Sequence, residues 1–355
     1  MTTARAESIY RRLVARLGRV LPEMELRHAA EVAAEIERLK VMRQAVVVAH
    51  NYMEPALYYS VADLTGDSLD LSRRLKDLQC RTVVFCGVRF MAESAAILAP
   101  DRQILIPSPR AGCSLAESIT AEDVRNLKAA LPEMPVVSYV NTYAEVKAES
   151  DICCTSSNAA AVLRKLGEKG IRRVIFLPDE YLARNTAGEL GWNFVVVGRN
   201  ENGGLDGVGG VPGQGAVVVG WRGRCEVHER FTVADVENAR RQFPDVTVLA
   251  HPECPPEVVE AADFSGSTNA MISYVERNGP RRLLLLTECS MGDNIQAANP
   301  DVEIVRLCTL RCPHMNEVTL EQTRWSLENM EYRVTVEDTI AEAAARSLEG
   351  MIAFA

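Results

Sequence analysis

No apolar run in the 355 residues approaches the roughly 18 needed for a membrane-crossing helix. The opening stretch "MTTARAESIYRRLVARL" lacks the uninterrupted apolar centre of a secretory signal. Its arginines suggest a transit peptide, but Glu7 and the helical spacing fit a surface helix better. A formal charge of −9 with no basic cluster argues against a nucleic-acid surface, because phosphate binding rests on patches of Lys and Arg. Membrane and nucleic-acid partners are therefore not expected, and a cytoplasmic protein acting on small molecules is.

Cys-x-x-Cys is also missing, although there are ten cysteines: Cys80, Cys86, Cys113, Cys153, Cys154, Cys225, Cys254, Cys289, Cys308 and Cys312. Neither a thioredoxin-type pair nor a zinc ribbon can be read locally. Without an export signal, so many thiols point to a reducing compartment, where disulfides do not persist. Any cysteine metal site must be assembled from distant segments.

What is present is ordinary globular material, 47% hydrophobic and 25% charged, long enough for two or three domains. Short β-branched runs such as "AVVVAH", "TVVFCGV", "RVIFLP", "AVVVGW", "VTVLAH" and "LLLLTE" alternate with helical patterns such as "SLDLSRRLKDL" and "NAAAVLRKLGEKG". Continuous apolar strands separated by amphipathic helices indicate α/β architecture with parallel sheets covered on both faces.

The runs repeat in three units. "VVVAHNY", "VVSYVNT" and "VTVLAHPE" align His50 and Tyr52 with Tyr139 and Asn141, and with His251 and Glu253. This i, i+2 spacing puts both side chains of each pair on one face at a strand end. "GDS", "TSSN" and "GST" follow, with Ser68, Ser156 and Ser267 lying 18, 17 and 16 positions beyond His50, Tyr139 and His251. Each unit then closes on a cysteine in a turn: Cys113, Cys225 and Cys312, at 63, 86 and 61 positions.

The excess in the middle unit is the Gly-rich segment "GRNENGGLDGVGGVPGQG", which is no dinucleotide fingerprint because Pro212 stands at the third glycine position. The flanking runs "NFVVVG" and "AVVVGW" suggest a hairpin-like surface excursion with its ends close together. The expected fold is three pseudo-threefold-related αβα (Rossmann-like) domains with parallel sheets around a central site. Its parts are N-terminal helices at 1–42, domain one at 43–132 with Cys113 at the junction, domain two at 133–243 with an insertion at 193–215, and domain three at 244–355 with C-terminal helices.

A buried cysteine is most often a small hydrophobe, and that reading suits Cys80, Cys86, Cys153 and Cys154. It fits Cys113, Cys225 and Cys312 poorly, since they recur once per unit in turns. Three converging thiolates can hold zinc or an iron–sulfur cluster. His50 and His251 recur at equivalent strand ends, and His228 stands three residues beyond Cys225. Glu253 is either a base whose pKa burial raises or a carboxylate at the start of "PPEVVEAA". The three hydroxyl-rich segments serve as N-caps, and helix N-termini also bind phosphate or carboxylate.

With these residues in hand the chain resembles the quinolinate synthase family, over about 43–351. The resemblance rests on "AHNYM", "GDSLDLSR", "FCGVRFMAE", "AGCSLAES", "VSYVNTYAEVKAESD", "TSSNA", "LPDEYLA", "WRGRCEVHERF", "HPEC" and "GST", all in order. It implies a [4Fe–4S] cluster on Cys113, Cys225 and Cys312 with one iron open to substrate. It also implies condensation of iminoaspartate with dihydroxyacetone phosphate to quinolinate, with L-aspartate oxidase as functional partner. Tyr52 and Glu253 would transfer protons, and His50, His228 and His251 would polarise substrate. Tyr139 and Asn141 would line the cavity, and Ser68, Ser156, Ser267 and Thr268 would hold anionic groups. The alternatives are a zinc-dependent aldolase or hydrolase and a non-catalytic iron–sulfur sensor.

Overall fold

The computed structural model describes residues 2–306 and 310–354, so Cys308 lies outside the described residues. Its strands fall into three sheets. The first holds β1 (Ala45–His50), β2 (Leu64–Gly66), β3 (Thr82–Cys86) and β4 (Gln103–Leu105) in the order β2-β1-β3-β4. The second holds β5 (Val136–Tyr139), β6 (Ile152–Cys154), β7 (Arg173–Leu177), β8 (Asn193–Arg199), β9 (Leu205–Asp206) and β10 (Val217–Trp221), ordered β6-β5-β7-β10-β8-β9. The third holds β11 (Val246–Ala250), β12 (Phe264–Ser265), β13 (Arg282–Leu286) and β14 (Glu303–Val305), ordered β12-β11-β13-β14. All pairings are parallel except β8 with β9. The chain is thus α/β, as its alternating runs imply.

The continuous apolar character of these strands follows from burial on both faces. In the third sheet Val248, Ala250, Leu284 and Leu286 pack on one side, while Leu249 and Leu283 pack on the other. Each such side chain removed from water contributes about 1.5–3 kcal/mol. The N-terminal helices Thr2–Leu17 and Glu23–Arg43 pack on one another and share a core with the first sheet through Leu13, Leu17, Leu26, Ile36, Val47 and Phe85. That core continues into the C-terminal helix Asp338–Ala353 through Ala344, Leu348 and Met351.

Strand register makes the repeat explicit. Ala49 pairs with Cys86, Ser138 with Leu177 and Ala250 with Leu286, so His50, Tyr139 and His251 each stand one residue beyond matched positions. The outer pairings Ala49 with Thr65, Ser138 with Cys153 and Ala250 with Ser265 match three residues further on: Ser68, Ser156 and Thr268. The alignment of Ser267 with Ser68 and Ser156 is therefore corrected by one position. Its true counterparts are Asp67 and Thr155. The first unit carries one more residue between its first two strands than the other units do, and spacing counted along the sequence hides this shift.

The unit ends repeat too. Cys113 O accepts from Glu117 N, Cys225 O from Glu229 N and Cys312 O from Asn316 N, each at 3.0 Å. Beyond each turn a capping box starts a helix: Thr120 with Asp123, Thr232 with Asp235 and Thr319 with Gln322. Residues 133 and 244 stand in the links from the first two of these helices to β5 and β11, and we propose them as unit limits.

The hairpin expected between "NFVVVG" and "AVVVGW" is not formed. These runs are β8 and β10, and they pair parallel, Val217 with Asn193 through Trp221 with Val197. The reversal lies between β8 and β9, with Gly203 at φ +82°. Composition identifies a β-branched run as a strand but leaves its direction open, and the residues between the two runs suffice for the dozen or so that a parallel crossover needs. The ends of the excursion are adjacent, since Asn193 N donates to Ala216 O at 3.0 Å. Arg199 is tied to Asp123 by an ion pair.

Candidate functional site

A cavity lies where the three sheets' strand ends meet. From the first unit it receives His50, Tyr52, Asp67 and Ser68, from the second Tyr139, Asn141, Thr155 and Ser156, and from the third His251, Glu253, Thr268 and Glu288. Cys113, Cys225, Cys312 and His228 also line it, and Val88, Phe90, Met91 and Met315 supply apolar wall. Of the residues singled out from sequence only Ser267 stays off the wall. Its hydroxyl caps the helix Thr268–Asn278 by accepting from Ala270 N and donates to Asp67 Oδ2 at 3.2 Å.

The strand-end histidines share one local design. Tyr52 N donates to His50 Nδ1 at 3.3 Å, and Glu253 N donates to His251 Nδ1 at 3.4 Å. A ring nitrogen that accepts a backbone N–H is unprotonated, which leaves Nε2–H as the donor. Burial holds the pKa of His50 down at about 4 and that of His251 at about 3, so both are neutral near pH 7. Below the unfolded value of about 6.5 the unfolded chain binds protons that these rings refuse, so stability falls as pH drops from about 6.5 toward 4. The melting temperature of wild type is expected to drop over that window. His50→Gln should flatten the decline; an equally steep decline in the variant would count against it.

Glu253 is buried, and burial alone would raise its pKa, which is what the sequence suggested. The neighbouring His228 reverses this, its Nδ1 lying 2.7 Å from Glu253 Oε2. With Tyr139 also bonding to it, Glu253 is held below the usual carboxylate range and is ionised. The His228 contact is close but not aligned as a hydrogen bond. Asn141 Nδ2 donates to Glu253 Oε1 at 3.4 Å. His228 stacks on His251 at 4.6 Å between ring centroids, and its Nε2 lies 2.9 Å from Thr287 Oγ1. Burial followed by the charge of Glu253 pushes the phenols of Tyr52 and Tyr139 well up, so both are protonated.

Hydroxyls gather at three helix N-termini. Asp67 caps the helix Ser68–Leu75, accepting from Leu69 N and Asp70 N. Asn51 Nδ2 reaches Thr268 Oγ1 at 2.8 Å, tying the first unit to the third. Thr155 N donates to the side chain of Asn158 at 2.7 Å ahead of the helix Ala159–Glu168. Exposed amides and hydroxyls at such ends favour anionic groups.

The three cysteines are alike in environment. Cys113 takes backbone N–H from Leu115 and Ala116, Cys225 from Val227 and His228, and Cys312 from His314 and Met315. Burial outweighs these donors and pushes the thiols up, Cys113 to about 12 and Cys312 to about 11. They are thus protonated until a metal displaces the proton, while the amide cradles suit metal-bound sulfur. Gly223 lets the chain into this turn, because a Cβ there would collide with the Pro178 carbonyl and the Ser118 hydroxyl. Among the described residues Cys225, His228 and Glu253 form a group of mixed donors whose ligand atoms lie within 4.8 Å of one another.

Sequence reasoning missed Asn51, Thr287 and two buried acids. Asp179 and Glu288 occupy equivalent places two residues past β7 and β13, each capping the next helix. Burial raises Glu288 to about 7, and burial with the charge of Glu253 raises Asp179. Extending the repeat to the end of the third strand of each unit would have found them.

The family model described as "NadA: Quinolinate synthetase A protein" matches residues 34–353. Over 337 residues the chain is 48% identical to Quinolinate synthase 1 of Mesorhizobium japonicum, covering 95% of each chain. It is 48% identical to Quinolinate synthase of Agrobacterium fabrum over 95% of this chain and 90% of the relative. Identity to Quinolinate synthase of Xylella fastidiosa (strain Temecula1) is 49% over 90% of this chain and 86% of the relative. Among the described residues no helix is long and apolar enough to cross a membrane.

Proposed function

The chain belongs to the quinolinate synthetase A family, enzymes of NAD biosynthesis, and from that premise we propose that it condenses iminoaspartate with dihydroxyacetone phosphate. The products are quinolinate, phosphate and water. One observation carries the reading: a single cavity receives a strand-end pair, a hydroxyl-bearing helix start and a cysteine from each of three units. Cys113, Cys225 and Cys312 would hold a [4Fe–4S] cluster, since three thiols with paired backbone donors fit such a group. When bound it supplies an iron with an open position, a Lewis acid toward substrate nitrogen and oxygen without net redox.

The residues of the chain do the rest. Ser68, Ser156 and Thr268, with the amides behind them, would anchor the carboxylates and the phosphate. Nε2–H of His50 and His251 would donate to carbonyl or hydroxyl oxygens. Glu253, fixed as an anion, would accept a proton from the condensing carbon or nitrogen, and Tyr52 would return one to a departing hydroxyl. Val88, Phe90 and Met91 exclude water from the intermediates. Iminoaspartate would come from an aspartate-oxidising partner, L-aspartate oxidase.

Two observations pull apart on the metal. The Cys225, His228 and Glu253 group favours a single zinc and hence a zinc-dependent aldolase or hydrolase. Nε2 of His228 is already engaged by Thr287 Oγ1, and the other two cysteines would be left without a task. Anaerobic purification with elemental analysis should give iron and no stoichiometric zinc, and both substrates together should yield quinolinate. A zinc-loaded preparation, or no product from iron-replete protein, would defeat the proposal.

A further inference from the structure

Lys147 carries no role in the chemistry above, yet it stands on the short helix Ala144–Ala148 with 0% exposure. Its ammonium donates to the Thr142 carbonyl and lies 5.5 Å from the ring centroid of Phe90, which lines the cavity. Neither partner carries charge. Glu93 is a carboxylate that acts on it, but Glu93 already accepts from Arg89 Nε at 2.8 Å and from Ala144 N at 2.9 Å. A cation taken out of water is costly unless a negative charge faces it. Building on the functional reading above for the cluster alone, we infer that Lys147 is the buried counter-charge of the anionic cluster held at Cys113, Cys225 and Cys312.

The repeat shows that the fold needs no cation for this carbonyl. Thr142 stands three residues past Tyr139, as Met53 does past His50 and Cys254 past His251. The Met53 carbonyl accepts from Asn294 Nδ2 at 2.9 Å, and the Cys254 carbonyl from Asn185 Nδ2 at 3.1 Å. Each asparagine stands eight residues past the matched end of a third strand, at Leu286 and Leu177, so a neutral amide from a neighbouring unit closes the loop twice. The same place in the first unit holds Ser94, whose hydroxyl is spent on Phe90 O of its own helix at 2.8 Å. Lys147 takes over the carbonyl instead. Its own counterparts, eight positions past the strand ends, are Tyr58 and Val259. A neutral donor suffices for the bond, and only the charge is left to explain.

The groups whose negative forms act on the ammonium are Cys153, Glu93 and Cys113. Burial keeps the Cys153 thiol protonated, and it donates to Ser347. Glu93 is paired with Arg89. Cys113 becomes an anion when a metal displaces its proton. A doubly positive [4Fe–4S] core on three thiolates carries one net negative charge, which the interior screens far less than water does. Burial lowers the pKa of Lys147 to about 8, so the ammonium is already charged at neutral pH before any cluster is present.

The test compares wild type, Lys147→Gln and Lys147→Met, each reconstituted anaerobically with iron and sulfide, in a potentiometric titration followed by electron paramagnetic resonance. Gln keeps a donor for the Thr142 carbonyl and Met keeps the bulk, but neither carries charge. Both should retain iron. Without the cation the more negative, reduced cluster is disfavoured, so its ratio to the oxidised form at the wild-type midpoint should fall on the order of tenfold, a one-electron shift of about 59 mV to lower potential. Cluster-free Lys147→Gln should melt no lower than cluster-free wild type, whose buried charge then has no partner. An unchanged potential in Gln overturns the inference, and so does a shift confined to Met, loss of iron from both variants, or a cluster-free Gln variant that melts lower. A wild type that holds the cluster but makes no quinolinate refutes the functional reading, and the potentials still decide this one; a wild type that takes up no cluster overturns both.

Discussion

Alanine at Cys113, Cys225 or Cys312 is expected to strip most of the iron from the protein, whereas Cys80→Ala and Cys153→Ala should leave it in place. The three positions differ from the other cysteines in what surrounds the sulfur. Each stands at the head of the same turn, with its carbonyl closing on the amide four residues later and two amides directed at the sulfur. Cys153 instead donates to Ser347 Oγ at 3.4 Å within the core, where its thiol is a small packed group. A cluster on three ligands has no spare donor, so losing one leaves two thiols that burial drives back to the protonated form. Turnover should vanish with the iron in all three variants. Full iron in any of the three would remove that cysteine from the ligand set, and full iron in all would return the cavity to the zinc reading.

Much of this arrangement was legible because the chain says everything three times. A single Ala-His at the end of an apolar run means little, but His50, Tyr139 and His251 fall at one register in three sheets, and that register is set by strand pairing. Cysteine spacing was readable for the same reason, once the surplus in the middle unit was assigned to the Gly-rich stretch. What escaped were properties that sequence order does not encode. The direction of β8 depends on how the chain returns after Gly203, and the Ser267 to Thr268 shift is masked by one extra residue between the first two strands of the first unit. The ionisation of Glu253 depends on His228, which arrives from 25 positions earlier and another turn altogether. Burial, read alone, gave the wrong sign.

That sign sharpens what Glu253→Gln should show. Glutamine keeps the size, and its single amide oxygen can still accept from Asn141, so the fold and the iron should be retained. It cannot take up a proton and carries no charge. Loss of a general base usually costs about 10²–10⁴-fold. A carboxylate held low by His228 has less driving force than one tuned near neutral pH, so the loss should lie nearer the 10²-fold end. It should appear in kcat more than in KM, because the anchoring of carboxylates and phosphate is assigned to Ser68, Ser156 and Thr268. Because the defect is chemical, raising the pH should not rescue the variant. Near-normal kcat would return Glu253 to a structural role and leave Tyr52 as the proton carrier. A variant that loses its iron would instead place Glu253 among the groups that hold Cys225 and His228 in register.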